Sequence, residues 1–343
     1  MDYRRLGRTG VSVSNLCLGT MMFGDWGTKD HDESIRIIHR APDAGINFVD
    51  TADVYSRGES EVIVGKALAG GRRDDVVLAS KVHMPMGEER NQRGNSRRWI
   101  TREVENSLQR LDTDWIDLYQ IHRYDPDTDL DETLGALTDL VRAGKIRYLG
   151  HSTFPVSAIV EAQWTARDRG RERFVTEQPP YSILTRGIEN DVLPTCARYG
   201  MGVISYSPLA GGWLSGRYRK DAAVQGPVSV ARQRLVNRFD MSLAVNQRKL
   251  DAAEQLAQLA DDSGIPLVQL AIAFIIRRHP AITATIIGPR TMDHLQSQLT
   301  AADTQLPTDV LDRIDVIVPP GVTLNPADNG WVSPARDAGA RRR

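Results

Sequence analysis

The stretch 46-INFVDTADVYSRGESE-61 decides the fold. An apolar run from Ile46 closes on a carboxylate, Asp50, and an aromatic hydroxyl, Tyr55, follows. Ser-Arg-Gly-Glu-Ser-Glu then reads as a turn opening a helix. A buried strand that ends on an acid and feeds a helix through a short polar turn is one β–α unit. Outward from it the same alternation recurs almost from end to end. Further strand-like runs are Leu16–Thr20, Val76–Val82, Ile116–His122, Ile146–Ser152, Arg173–Gln178, Gly202–Pro208 and Ile282–Gly288. Segments such as TREVENSLQRLD and LDETLGALTDLVRAGK lie between them, with apolar residues near a 3.6-residue period. Eight such units in 343 residues favour α/β architecture as a closed (β/α)8 TIM barrel over an open sheet.

Two additions to the barrel are expected. Tyr3–Ser14 reads as an N-terminal β-hairpin turning at Arg-Thr-Gly, and two consecutive helices fall between strands seven and eight. The expected layout is one barrel domain over residues 1–320 and a C-terminal loop with a disordered tail over 321–343. The segment around 220–240 reads as a long loop. Pro42, late in the first helical segment, should kink that helix or end it early.

Composition narrows the function classes. Lys plus Arg number 43 and Asp plus Glu 44, a balance that argues against nucleic-acid or membrane-surface partners. Two cysteines, Cys17 and Cys196, supply neither a disulfide framework nor a Cys-x-x-Cys pair. No apolar run reaches about 18 residues. The start MDYRRLGRTG lacks the apolar core of a secretory signal, so a cytoplasmic location is expected.

Strand alternation explains why the opening strand ends on an acid. Ile46, Phe48 and Asp50 share one face, as do Val77, Ala79 and Lys81, and Leu118, Gln120 and His122. If these faces point inward, Asp50, Lys81 and His122 converge at the C-terminal mouth of the barrel, with Tyr55 just above. A tyrosine of ordinary pKa near 10 is a poor acid at neutral pH, and a neighbouring ammonium is expected to lower it. Lys81 supplies that charge, Asp50 holds Lys81, and His122 donates to a substrate carbonyl. Together they form an acid that protonates an oxyanion while hydride arrives from elsewhere.

These residues sit in phrases that resemble the aldo-keto reductase family. The phrases are LGTMMFG, GINFVDTADVY, SEVIVGKAL, VVLASKV, DLYQIHR, LVRAGKIRYLG, EQPPYSIL and SYSPLAGGWLSGRY, in family order across most of residues 3–300. The likeness is strongest to the branch holding bacterial members and the potassium-channel β-subunits. It implies that Tyr55 is the general acid, that Lys81 and Asp50 tune it, and that His122 orients a small-molecule carbonyl substrate. It further implies NADPH bound in extended form, without a Rossmann fingerprint. By that resemblance Tyr206 stacks on the nicotinamide, and Ser207, Pro208, Leu209 and Gly211 form a clamp whose serine, leucine and glycine approach the pyrophosphate, with Arg217 beside them. Asp50, Ser152 and Gln178 meet the nicotinamide end, the last two at its carboxamide, and Gly19, Thr20 and Met21 line the ribose. Arg290 contacts the 2′-phosphate, with His294 and Gln298 near the adenosine.

Three positions depart from the family pattern. Thr153 and Gln298 stand where asparagine is usual, and His294 where Gln or Arg is common. Met22, Phe23 and Trp26 are expected to line the substrate pocket, and the loop near Trp331 to close it. The acidic run Asp125–Glu132 lacks the glycine and glutamate of a calcium loop and reads as helix capping. The histidines show no zinc pattern, and His83, on the face of Lys81, falls at the mouth. Two other readings keep the fold: a redox-sensing regulatory protein that binds NADPH, and a tailoring reductase of nucleotide-linked keto-sugars. The second needs a phosphate-tolerant pocket, for which Arg57, Arg90, Arg93 and Arg123 are the candidates.

Overall fold

A short antiparallel hairpin, β1 (Tyr3–Arg5) and β2 (Ser12–Ser14), leads into eight parallel strands closed into a barrel. The structure is a computed structural model and describes residues 1–220, 235–331 and 339. The barrel strands are β3 (Leu16–Gly19), β4 (Phe48–Asp50), β5 (Val77–Val82), β6 (Ile116–Ile121), β7 (Ile146–Ser152), β8 (Phe174–Gln178), β9 (Gly202–Ser205) and β10 (Ile282–Ile287). Each pairs with its neighbour in the chain, and β10 closes on β3 through Thr285–Leu16, Ile286–Cys17 and Ile287–Leu18.

Around the barrel run α1 (His31–Asp43), α2 (Glu59–Leu68), α3 (Arg97–Leu111), α4 (Leu130–Arg142), α5 (Val156–Arg169) and α6 (Val192–Tyr199). The expected pair between the last two strands is α7 (Ala244–Ser263) and α8 (Leu267–Arg278), and α9 (Met292–Leu299) and α10 (Thr308–Ile317) complete the layer. Polar side chains begin several helices. Asp30, Ser96 and Asp129 accept from Glu33 N, Trp99 N and Asp131 N, each cap worth about 1 kcal/mol. The acidic run 125–132 is thus spent on turns and a cap, and the described residues hold no cluster of three metal-ligating acids, histidines or cysteines.

The barrel interior is small and apolar: Cys17, Phe48, Ala79, Leu118, Ile204 and Ala284 pack together with Leu6 and Val13 of the hairpin. The hairpin therefore plugs the N-terminal end. Gly7, at φ +58°, permits this, because a Cβ there would lie 2.5 Å from the Val175 carbonyl oxygen. With one end sealed, polar groups collect at the other. The larger core lies between strands and helices. Among the described residues no single helix is long and apolar enough to cross a membrane.

Strand ends differ from expectation where local bonds compete. The run expected to 208 stops at Ser205, since the chain turns away at Ser207 with φ +59°. The run expected from Ile46 starts at Phe48, because the Ile46 amide bonds Ala41 O at the end of α1. That helix runs through Pro42 and stops one residue later at Asp43. Of the loop expected around 220–240, residues 235–240 hold one short turn, Val236–Arg238, and 221–234 lie outside the described residues. The disordered end expected after the C-terminal loop falls on residues outside the described ones, apart from Gly339.

Candidate active site

The C-terminal ends of β4, β5, β6 and β8 bring one residue each to a buried polar chain. Lys81 is fully buried, and its Nζ donates to Asp50 Oδ1 at 2.5 Å, to Thr51 O at 2.8 Å and to Tyr55 Oη at 3.1 Å. The other Asp50 oxygen accepts from Gln120 Nε2 at 3.1 Å and Gln178 Nε2 at 2.9 Å. Asp50 thus holds the ammonium while two amides hold Asp50. Tyr55 follows β4 on a turn and is half-buried, so the chain reaches solvent through its hydroxyl. The four residues expected to converge do so: the His122 ring lies edge-on to Tyr55 at 5.8 Å.

Electrostatics follow from burial. Burial pulls the Lys81 ammonium down, but Asp50 and Tyr55 more than offset it, and the net shift is upward. His122 is held well below its ordinary value, first by burial and then by Arg123, Lys81 and His83, so it is neutral at pH 7. For Tyr55 the expectation needs correction. Burial raises its pKa, Lys81 pulls it back, and the net direction is up. The hydroxyl of the free protein therefore keeps its proton, and only charge developing on a bound group would draw it off.

The turn that carries Tyr55 is conformationally tight. Ser56 and Arg57 have left-handed φ of 48° and 58°, followed by Gly58 at 94°. Ser56 Oγ donates to Phe23 O and accepts from Trp26 N, tying the turn to the loop after β3. Trp26 sits 6.1 Å from the Tyr55 ring and forms a wall of the mouth. Phe23 does not: it is fully buried in the outer core, against expectation, because its carbonyl rather than its ring faces the turn.

The residues expected at the cofactor lie along one side of the mouth. Ser152 Oγ donates to Gln178 O at 2.8 Å and accepts from Arg123 Nη1 at 3.2 Å. Gln178 spends its amide nitrogen on Asp50. Thr153, with φ 57°, sits near Tyr206, their hydroxyls 3.3 Å apart, in a left-handed position where asparagine is well tolerated. Thr20 is fully buried with its hydroxyl 2.8 Å from Ser60 Oγ, so of Gly19, Thr20 and Met21 only Met21 presents a side chain, 39 % exposed.

A cleft of about 110 Å³ is lined by Met21, Pro180, Ser207, Gly211 and Phe239. The backbone beside it is unusual: Ser207, Ala210 and Gly211, which line the cleft, and Gly212 after them all have positive φ. Pro208 is buried and Leu209 half-buried behind it. The C-terminal segment crosses this region. Thr323 bridges to Thr185, Asp328 pairs with the buried Lys249, and Gly330 approaches Tyr206 so closely that a Cβ would lie 2.7 Å from its hydroxyl. Trp331 ends the described segment half-buried.

Further along, Arg217, Arg290 and His294 gather near the start of α9. Arg217 depresses Arg290, and both depress His294, in each case after burial. None of the three has an ion-pair partner among the described residues. Gln298 is buried, and its Oε1 has no hydrogen-bond partner among the described residues. Two guanidiniums crowded together, a neutral imidazole beside them and an orphaned amide oxygen form a site built for something anionic and polar. One residue given no role in the sequence reading, Gln120, belongs to the arrangement, as does Arg123, expected there only as a candidate for a phosphate-tolerant pocket. Gln120 shared the inward face of His122 in sequence, which was the signal for it, and Arg123 lies between His122 and Ser152.

A closed (β/α)8 barrel with its polar chain at the C-terminal strand ends is the architecture of a barrel enzyme. A model of the Aldo/keto reductase family matches residues 15–319, and the chain belongs to that family. It is 40 % identical to an uncharacterized oxidoreductase of Bacillus subtilis, YrpG, over 96 % of this chain and 100 % of that one. It is 34 % identical to a probable voltage-gated potassium channel subunit beta of Arabidopsis thaliana, over 93 % and 97 %. Norsolorinic acid reductase B of Aspergillus parasiticus is 32 % identical over 91 % and 83 %. The chain is thus an oxidoreductase by kinship.

Proposed function

We propose that the protein reduces an aldehyde or ketone to an alcohol with NADPH, and that Tyr55 gives the proton. The observation that carries this is the Tyr55 hydroxyl, 3.1 Å from a buried ammonium and opening on the mouth beside a neutral imidazole. Tyr55 Oη passes its proton to the carbonyl oxygen, and Lys81 stabilises the phenolate left behind. His122 hydrogen-bonds the same oxygen. Asp50, gripped by Gln120 and Gln178, keeps Lys81 aimed. NADPH, when bound, supplies the hydride to the carbonyl carbon. Ser152, Gln178 and Tyr206 would hold its nicotinamide end, the left-handed turn 207–212 with Arg217 its pyrophosphate, and Arg290, His294 and Gln298 its adenosine. The Arg290 guanidinium, without an ion-pair partner among the described residues, favours a 2′-phosphate, hence NADPH over NADH.

The test is NADPH consumption, followed by near-UV absorbance, over a panel of aldehydes, quinones and keto-sugars. Tyr55→Phe should lower kcat by about 10²–10⁴-fold while the fold is kept. Arg290→Ala should raise the KM for NADPH by roughly tenfold or more and leave that for NADH unmoved, as loss of a charged hydrogen bond implies. Full turnover by Tyr55→Phe would sink the acid assignment. Likeness to the channel subunit supports a second reading, a protein that binds NADPH to sense redox state. Tight NADPH binding without turnover on any carbonyl would select it.

A further inference from the structure

We propose that Arg123 selects carbonyl substrates bearing an anionic oxygen group, a carboxylate or a phosphate monoester, close to the carbonyl. This rests on the reductase reading and names the substrate class. Arg123 directly follows His122 at the end of β6. Its Nη1 donates to His122 O at 2.5 Å and to Ser152 Oγ at 3.2 Å, which fixes the guanidinium on the rim between β6 and β7. It is half-buried, whereas Arg57, Arg90 and Arg93 are exposed.

No carboxylate pairs with Arg123 among the described residues. Asp125, two positions on, spends its oxygens on Asp127 N, Thr128 Oγ1 and Asn95 N. The other charges of the mouth cancel, Lys81 against Asp50. His122 and His83 are both held neutral, chiefly by burial. At Tyr55 and His122 one positive charge therefore stands unopposed by a nearby carboxylate of its own, while at His83, on the outer side, Asp125 works against it. Nη2 and Nε make no hydrogen bond to the described residues, leaving donors in the fork that suits carboxylate and phosphate oxygens. Across Tyr55 stands Trp26. A substrate held between them has a flat apolar body toward Trp26, its carbonyl at Tyr55 and His122, and its anionic end at Arg123.

The experiment compares kcat/KM for matched pairs: 4-formylbenzoate against its methyl ester, and glyceraldehyde 3-phosphate against glyceraldehyde. In the wild-type protein the anionic member of at least one pair should be preferred by roughly ten- to hundredfold, the scale of a charged hydrogen bond, with the gain in KM. Which pair responds tells carboxylate from phosphate. Arg123→Gln should bring that ratio to about one, and Arg123→Lys should keep part of it. Independently of any variant, the wild-type ratio should fall as salt rises from about 0.02 to 0.5 M, because screening acts on the charged substrate only. A ratio near one for both pairs, a ratio unmoved by salt, or a ratio kept in Arg123→Gln overturns the proposal while the ester is still reduced. Failure to reduce any of the four carbonyls overturns the reductase reading itself, and this inference with it.

Discussion

Two buried ionic knots lie back to back on the same strands. Inside the barrel, Lys81 joins Asp50 and Tyr55. Outside it, between strands and helices, Arg110 of α3 pairs with Glu61 of α2 at 2.7 Å and with Glu103 at 2.6 Å, and Ser80 donates to Glu61 at 2.5 Å. Ser80 and Lys81 are neighbours on β5, one turned to each knot. The outer knot binds two helices to the barrel, and Glu61 and Glu103 are essentially inaccessible. The inner knot ends on a hydroxyl at the open mouth. Buried ion pairs contribute little net stability over apolar replacements. What separates the two is the inner knot's exit to solvent.

The largest effect is expected where the inner knot is cut. Lys81→Met leaves Asp50 as a buried charge without its counter-ion. It should cost about 3–5 kcal/mol of stability as well as abolish most turnover. Adding Asp50→Asn should recover much of the stability and none of the activity, which urea unfolding and NADPH turnover would separate. Recovery of turnover in the double variant would show that the charges position nothing. Arg110→Met is the matching cut outside. It strands Glu61 and Glu103, so a loss of about 3–5 kcal/mol is again expected. Turnover per folded molecule should stay within a few-fold. An activity loss as deep as that of Lys81→Met would erase the distinction between the knots.

The inner knot was more legible in the sequence than the outer one, for a physical reason. Asp50, Lys81 and His122 each end an alternating strand, and period two reports which face a residue takes. Gln120 carried the same signal. Nothing local marks Arg110 as the partner of Glu61, which lies 49 positions away on another helix. The barrel itself was legible because each β–α unit is local. The direction of the Tyr55 shift was not, because it depends on how deeply the ring is buried. The same holds for Phe23: sequence placed it beside Trp26, while packing sent one ring to the core and the other to the mouth.

Gly58 is where the knots touch. It lies three residues past Tyr55 at φ +94°, and a Cβ there would sit 2.7 Å from Cδ of Arg110. Gly58→Ala should cost about 2 kcal/mol, from the left-handed backbone and the displaced arginine together. Because the displaced turn carries Tyr55, turnover should fall several-fold in step with stability. A stability loss with untouched kcat would mean that the Tyr55 turn is held by Ser56 and its bonds to the Phe23 and Trp26 backbone alone.

The smallest effect concerns Asp53, between Asp50 and Tyr55 in sequence and fully buried. One oxygen accepts from Val54 N, and the other has no hydrogen-bond partner among the described residues. Burial raises its pKa well above the ordinary 3.8, and Glu61 and Glu103 raise it further against a partial offset from Val54 N and Arg110. The folded protein therefore holds a proton that the unfolded chain has released. The stability from this group is complete below about pH 3.8 and is lost as pH rises toward the folded value. Asp53→Asn cannot ionise and should not show that loss. Relative to wild type, it should gain stability as pH rises from about 4 to 8, by about 1 kcal/mol, the usual scale of one substitution. Urea midpoints across that range measure it directly. Parallel curves for the two proteins would mean that Asp53 is ionised in the fold and belongs, after all, to the set of charges that Arg110 neutralises.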